Sequence, residues 1–192
     1  MNIKQFSVLS VLLLLSPQAS AAPNVAEMFA NFASSAASII YLVVGAGVLL
    51  GVVVTFKAAL SLKEYSESGG RTSLKTPLIL AIVGAMLVSL PGTINMATET
   101  MSLGSNTALN VFSVGGGGGI PGMDAAIKGV LLFVKLIGHI SIVRGLLIFK
   151  RVGEGQQGAE AGRGLTHILG GAAAVNINTT IDLLSNSVGL SL

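Results

Sequence analysis

The sequence contains no cysteine and no tryptophan, few aromatic residues and little charge. Without cysteine there is no disulfide, no thiolate metal site and no cysteine nucleophile, so stability has to come from packing alone. Charged residues make up 10% of the chain and hydrophobic residues 52%, with a mean hydropathy of +0.81. A soluble domain usually carries about 25% charge, so the expected solvent is a bilayer. What is abundant is Leu, Val, Ile, Ala and Gly, and the small members of that set let helices approach closely in lipid. The formal net charge is +3, yet the basic residues cluster in particular segments, which points to membrane orientation and not to direct nucleic-acid binding.

Residues 1–22 have Lys4 in a short positive start, an apolar run from Phe6 to Leu15, then Pro17 and the small residues Ala19-Ser20-Ala21-Ala22. This is the pattern of a cleavable signal peptide, and the run is shorter than the ~20 residues that a span needs. Four apolar stretches follow, and the first, Ala36–Phe56, is uncharged. The second, Thr76–Thr98, is also uncharged and contains Pro91, which can kink it. The third, Ala125–Phe149, is interrupted by Lys128, Lys135 and His139; the fourth, Gly164–Leu184, carries His167, Asn176, Asn178 and Asp182. Between the pairs, Gly115 to Gly119 followed by Pro121 reads as a linker.

The two halves align without gaps at a separation of 87 residues. Ile40 meets Ile127, Gly51 meets Gly138, Lys63 meets Lys150, Glu67 meets Glu154, Gly84-Ala85 meets Gly171-Ala172, and Thr93-Ile94 meets Thr180-Ile181. Such self-similarity points to duplication of one helical hairpin. Orientation follows from the basic residues: Lys57, Lys63, Arg71 and Lys75 fill the first hairpin loop, and Arg144, Lys150, Arg151 and Arg163 the second, which places both loops in the cytoplasm. The expected fold is therefore an all-α integral membrane protein: a signal peptide (1–22), a first transmembrane hairpin (23–105), a Gly-rich periplasmic linker (106–122) and a second hairpin (123–192). Its four transmembrane helices would leave the mature N- and C-termini periplasmic, with the hairpins as parallel repeats and not inverted ones.

Chemistry is sparse. Lys135 and His139 lie four residues apart on one helical face with Lys128 a heptad before, and a polar stripe in a membrane usually faces partners or water. Folding the second hairpin about residue 157 as two straight helices brings Lys135 level with Asn178 and within reach of Asp182, so a contact is expected there. His139 and His167 sit on different spans with no carboxylate at ligand spacing, so no metal site is expected. Ser141 and His139, two residues apart, point away from each other, and no catalytic set emerges. The glycine run lacks the Lys-Ser/Thr of a phosphate loop, and no cofactor is expected. Gly47 and Gly51 form a Gly-x-x-x-Gly spacing, and with Gly84, Gly138 and Gly171 they are the expected helix-packing positions, within the bundle or between copies.

The strings Gly84-Ala85-Met86-Leu87-Val88-Ser89-Leu90-Pro91 and Gly170-Gly171-Ala172-Ala173-Ala174-Val175-Asn176-Ile177-Asn178-Thr179-Thr180-Ile181-Asp182, with the export signal and the paired hairpins, resemble the IcmC/DotE family. The resemblance covers essentially the whole mature chain and extends to the sister IcmD/DotP proteins and to the conjugation counterpart TraQ. It implies a non-enzymatic inner-membrane component of a type IVB secretion or conjugative transfer system, with lipid, other membrane proteins of the machine and further copies of itself as partners. A pilin-like subunit and a small pore or holin-like protein are the competing expectations.

Overall fold

The computed structural model describes residues 25–101, 103 and 123–189. The expected signal peptide (1–22) and glycine-rich linker (106–122) lie outside these residues. Everything described is helix or short turn: α1 (Val25–Glu67), α2 (Lys75–Val88), α3 (Leu90–Thr100), α4 (Met123–Gly153), α5 (Ala161–Val175) and α6 (Ile177–Val188).

α1 is 43 residues long, about 64 Å at 1.5 Å per residue, roughly twice the hydrocarbon thickness of a bilayer. No proline interrupts it, and in its polar N-terminal part the hydroxyls of Ser34 and Ser35 donate back to the Asn31 carbonyl. It stops where Gly69 and Gly70 adopt φ of +62° and +82°, a region that costs glycine nothing. The chain turns back after α4 in the same way, through Gly155 and Gly158 at +68° and +79°.

Two corrections follow. Lys57 and Lys63 do not lie in a loop but on α1, and Arg144, Lys150 and Arg151 lie on α4, with Lys75 and Arg163 in the first turns of α2 and α5. The helices run on past the apolar stretches, and an i,i+4 ion pair lies at each end, Lys63 to Glu67 and Lys150 to Glu154, adding a few tenths of a kcal/mol. The second correction concerns Thr76–Thr98: instead of one kinked helix it forms α2 and α3, which meet at 96°.

The fully buried residues Ile40, Leu80, Leu87, Leu90, Ile94, Ile142 and Leu146 form one core that draws on α1 to α4. α4 is the central element, packed against α5, α1 and α2, while α1 pairs mainly with α2 and α4. α1 and α4 run parallel. Phe32 meets Phe133 with ring centroids 6.0 Å apart at one end, and Lys57 meets Glu154 at the other. α1 and α4 are both long and apolar enough to cross a membrane, and the bent α2–α3 pair adds a third crossing if it is taken as one span. The described residues are thus all helix and turn, with two helices fit to span a membrane, and their packing sets the polar groups discussed next.

Candidate functional site

The second arm of each hairpin breaks at the same place. α2 ends and α3 begins at Ser89, with φ −99° and ψ 44°, and α5 gives way to α6 at Asn176, with φ −105° and ψ 44°. These positions are 87 residues apart. At each break one carbonyl loses its helical partner, and a buried orphan carbonyl is costly. The Thr93 hydroxyl donates to Met86 O at 2.7 Å, and the Thr180 hydroxyl donates to Ala173 O at 2.9 Å. Pro91 is not needed for the break, since its counterpart in the second hairpin is Asn178.

The glycines recur likewise. A Cβ on Gly51 would come within 2.5 Å of Val88 N, and one on Gly138 within 2.8 Å of both Val175 N and Gly171 O. Gly84 abuts Thr55, with the Thr55 backbone N at 2.9 Å from a built Cβ, as Gly171 abuts Ile142. In both hairpins, then, the arms touch backbone to backbone just before the break. Gly47 faces Leu90 and Val143, so both members of its Gly-x-x-x-Gly pair are turned into the bundle.

Beside the second break lies a buried polar level. Lys135 is 7% exposed, His139 1% and Asn176 3%. His139 Nδ1 is 2.8 Å from the Lys135 carbonyl, and the Asn176 amide donates to Leu103 O just beyond α3, tying the end of the first hairpin to the break in the second. Lys135, His139, Asn176 and Asn178 all have partners. Lys128 is exposed, so the stripe narrows to the two residues nearer the centre. Of the two neighbours expected for Lys135, Asn178 is half-buried, whereas the approach to Asp182 is not formed: Asp182 is exposed and makes no ion pair among the described residues. The reason is the break at Asn176, after which α6 makes little contact with α4 and has no buried residue.

At the opposite end, Glu154 accepts from Lys57 Nζ at 2.5 Å and from Lys150 Nζ at 3.0 Å, and Gln156 Nε2 donates to its other oxygen at 2.9 Å. Partial burial works to raise the Glu154 pKa, but the hydrogen bonds and charges of Lys57 and Lys150 outweigh it and hold the group below its ordinary value of 4.5. This carboxylate joins α1 to the end of α4. The sequence pattern missed it, because Lys57 has no acidic residue three or four positions away to mark it as half of a pair.

Ser141 pairs with His167 across α4 and α5, not with His139. Its hydroxyl donates to the His167 carbonyl at 2.9 Å and lies 3.3 Å from Nδ1. The proton is committed to the backbone, so the pair acts as an interhelical tie. Among the described residues no group of three or more His, Asp or Glu could hold a metal ion.

Among the described residues, two apolar surfaces bear on the question of partners. A groove of about 560 Å³ opens between α2–α3 and α4–α5, walled by Ile82, Met86, Met96, Phe149 and Leu165. The hydroxyls of Thr93 and Thr100 on its wall are already spent on the Met86 and Met96 carbonyls. On α1, Ile39, Leu42, Leu49, Val53, Phe56 and Leu60 are all exposed, and with Ala46 they are spaced alternately three and four residues apart. That is the seam spacing of a helix–helix contact, and it faces away from the bundle. No family model, curated protein or solved structure matches this chain.

Proposed function

We propose that the protein is a non-enzymatic, multi-pass inner-membrane component of a type IVB secretion or conjugative transfer system, working by assembly with other membrane proteins. The observation that carries this reading is the outward seam on α1: seven positions at heptad spacing over about 32 Å, unpartnered among the described residues. The resemblance of the two break-containing strings to the IcmC/DotE family supplies the identity of the machine. The polar groups at the breaks are spent on backbone carbonyls and on interhelical ties, as suits a scaffold.

The topology belongs to the same proposal. A cleaved signal peptide is followed by four spans, α1, α2–α3, α4 and α5–α6, with both mature termini in the periplasm. In support, Lys57 and Glu154 meet, so the basic ends of α1 and α4 lie together, as the positive-inside rule requires of cytoplasmic ends.

The test exploits the absence of cysteine. Single substitutions Leu42→Cys, Leu49→Cys and Phe56→Cys are cross-linked in the native envelope, and the adducts are identified by mass spectrometry together with the N-terminal peptide. Adducts with secretion or conjugation membrane proteins, and a mature start near Ala22 or Pro23, are expected. Adducts with only a second copy of the chain would shift the assignment to a pilin-like subunit. A pore draws instead on the buried Lys135 and His139 and predicts ion flux in proteoliposomes, which the assembly reading does not.

A further inference from the structure

The basic end of the second hairpin holds a pocket that the assembly role does not use. It occupies about 540 Å³ between α4, the turn at residues 156–160 and the start of α5, a volume in the range of small-ligand clefts. Arg144 and Arg151 stand seven residues apart, hence on one face of α4 and about 10 Å apart along its axis. Arg163 closes the pocket from the first turn of α5. Against these three guanidiniums the lining holds one carboxylate, Glu160.

The charges here are not paired off as they are elsewhere. Lys57 and Lys150 share Glu154, and Lys63 has Glu67, but none of Arg144, Arg151 and Arg163 forms an ion pair among the described residues. Arg163 is also placed against the local field. It sits in the first turn of a helix, the positive end of the macrodipole, in a turn that has no acidic residue and no side-chain cap from Glu160. An anion in the pocket would offset both the clustered guanidiniums and the uncapped helix start, and guanidinium geometry suits phosphate oxygens.

The rest of the lining says which kind of anion. Ile140, Val143, Leu147 and Ile148 occupy the same face of α4 and continue the pocket from the arginines toward the middle of the helix. A free phosphate has no use for that wall, whereas a lipid places a phosphate at the arginines and its acyl chains along the isoleucines and leucine. We infer that this pocket binds the headgroup of an anionic phospholipid at the basic membrane face. The inference rests on the membrane placement of α4.

The full chain is expressed, and its presence in the carbonate-extracted membrane pellet is scored first. Loss from the pellet would sink the membrane placement itself, separately from the lipid assignment. Purified protein is then analysed by native mass spectrometry after titration with phosphatidylglycerol or phosphatidylethanolamine, in buffer with and without inorganic phosphate. The expected result is roughly tenfold or greater retention of the anionic lipid, unaffected by phosphate. That preference should disappear in Arg144→Gln/Arg151→Gln/Arg163→Gln and persist in Lys63→Gln, a control that removes a positive charge elsewhere. Equal retention of the two lipids, or unchanged preference in the arginine variant, would overturn the inference. Displacement by inorganic phosphate would overturn it in favour of a soluble anion.

Discussion

Gly138 and Gly170 offer a matched pair of perturbations, since both are helical glycines in the second hairpin and only one is closely opposed. Replacing Gly170 by Ala places a methyl where nothing lies within 4 Å, so the change registers as helix propensity alone, a gain of about 1 kcal/mol or less. Replacing Gly138 by Ala makes the same propensity gain but drives the methyl to 2.8 Å from Gly171 O and Val175 N. These are backbone atoms, which cannot swing aside, so α4 and α5 must separate; overpacking of this kind costs about 1–3 kcal/mol. The propensity contribution cancels in the comparison, and the two variants should differ by about 1–3 kcal/mol, Gly170→Ala being the more stable. Equilibrium unfolding in mixed micelles, followed by far-ultraviolet circular dichroism because the chain has no tryptophan, measures this difference directly. If both substitutions move the midpoint in the same direction by similar amounts, the close approach of α4 and α5 is refuted, and with it the account of the break that follows it.

Thr93→Val and Thr180→Val each remove a hydroxyl that satisfies a carbonyl at a break, and each should cost about 1 kcal/mol in the same unfolding assay. Pro91→Ala should leave the α2–α3 angle intact: spin labels at Leu78→Cys and Met96→Cys should remain at about 20 Å in backbone terms, and a rise toward the about 27 Å of a straight helix would show that proline imposes the turn. For Glu154 the folded pKa is depressed, so its contribution to stability is present above pH 4.5 and lost as the pH falls through the lower folded value. Thermal melts of the parent and Glu154→Gln should therefore differ at pH 7 and converge in acid; divergence on acidification would contradict the Lys57–Glu154–Lys150 cluster.

The two long helices were legible because nothing between Met28 and Phe56 carries charge and because the periodic apolar residues of α4 continue on either side of Lys135. Their true ends were not, since the helices continue into polar sequence that carries the Lys63–Glu67 and Lys150–Glu154 pairs, where an apolar window has already ended. The breaks were hidden for a different reason. A helix break needs an alternative donor for its carbonyls, and threonine in an apolar run gives no periodic signature, although the alignment of Thr93 with Thr180 marked the donors. Of the two neighbours expected for Lys135, Asn178 and Asp182, the second fails on that point alone: depth counted along a straight helix does not carry past the stop at Asn176. The Glu154 cluster joins residues 97 apart, a pairing that no local spacing rule reaches.

That separation of 97 residues is also a delay. At translation rates of about 5–20 residues per second, Lys57 emerges roughly 5–20 s before Glu154 exists to meet it. In the later part of that interval, after α3 is made and before α4 is complete, the first hairpin has no α4 to pack against, its lysine unmatched and its inner face open. The close approach of Gly51 to Val88 and of Gly84 to Thr55 lets the two arms pack against each other while they wait. Substitutions at these glycines should consequently lower the yield of assembled protein more than the stability of whatever does assemble, because their greatest burden falls on a nascent half-molecule exposed to membrane proteases and not on the finished bundle.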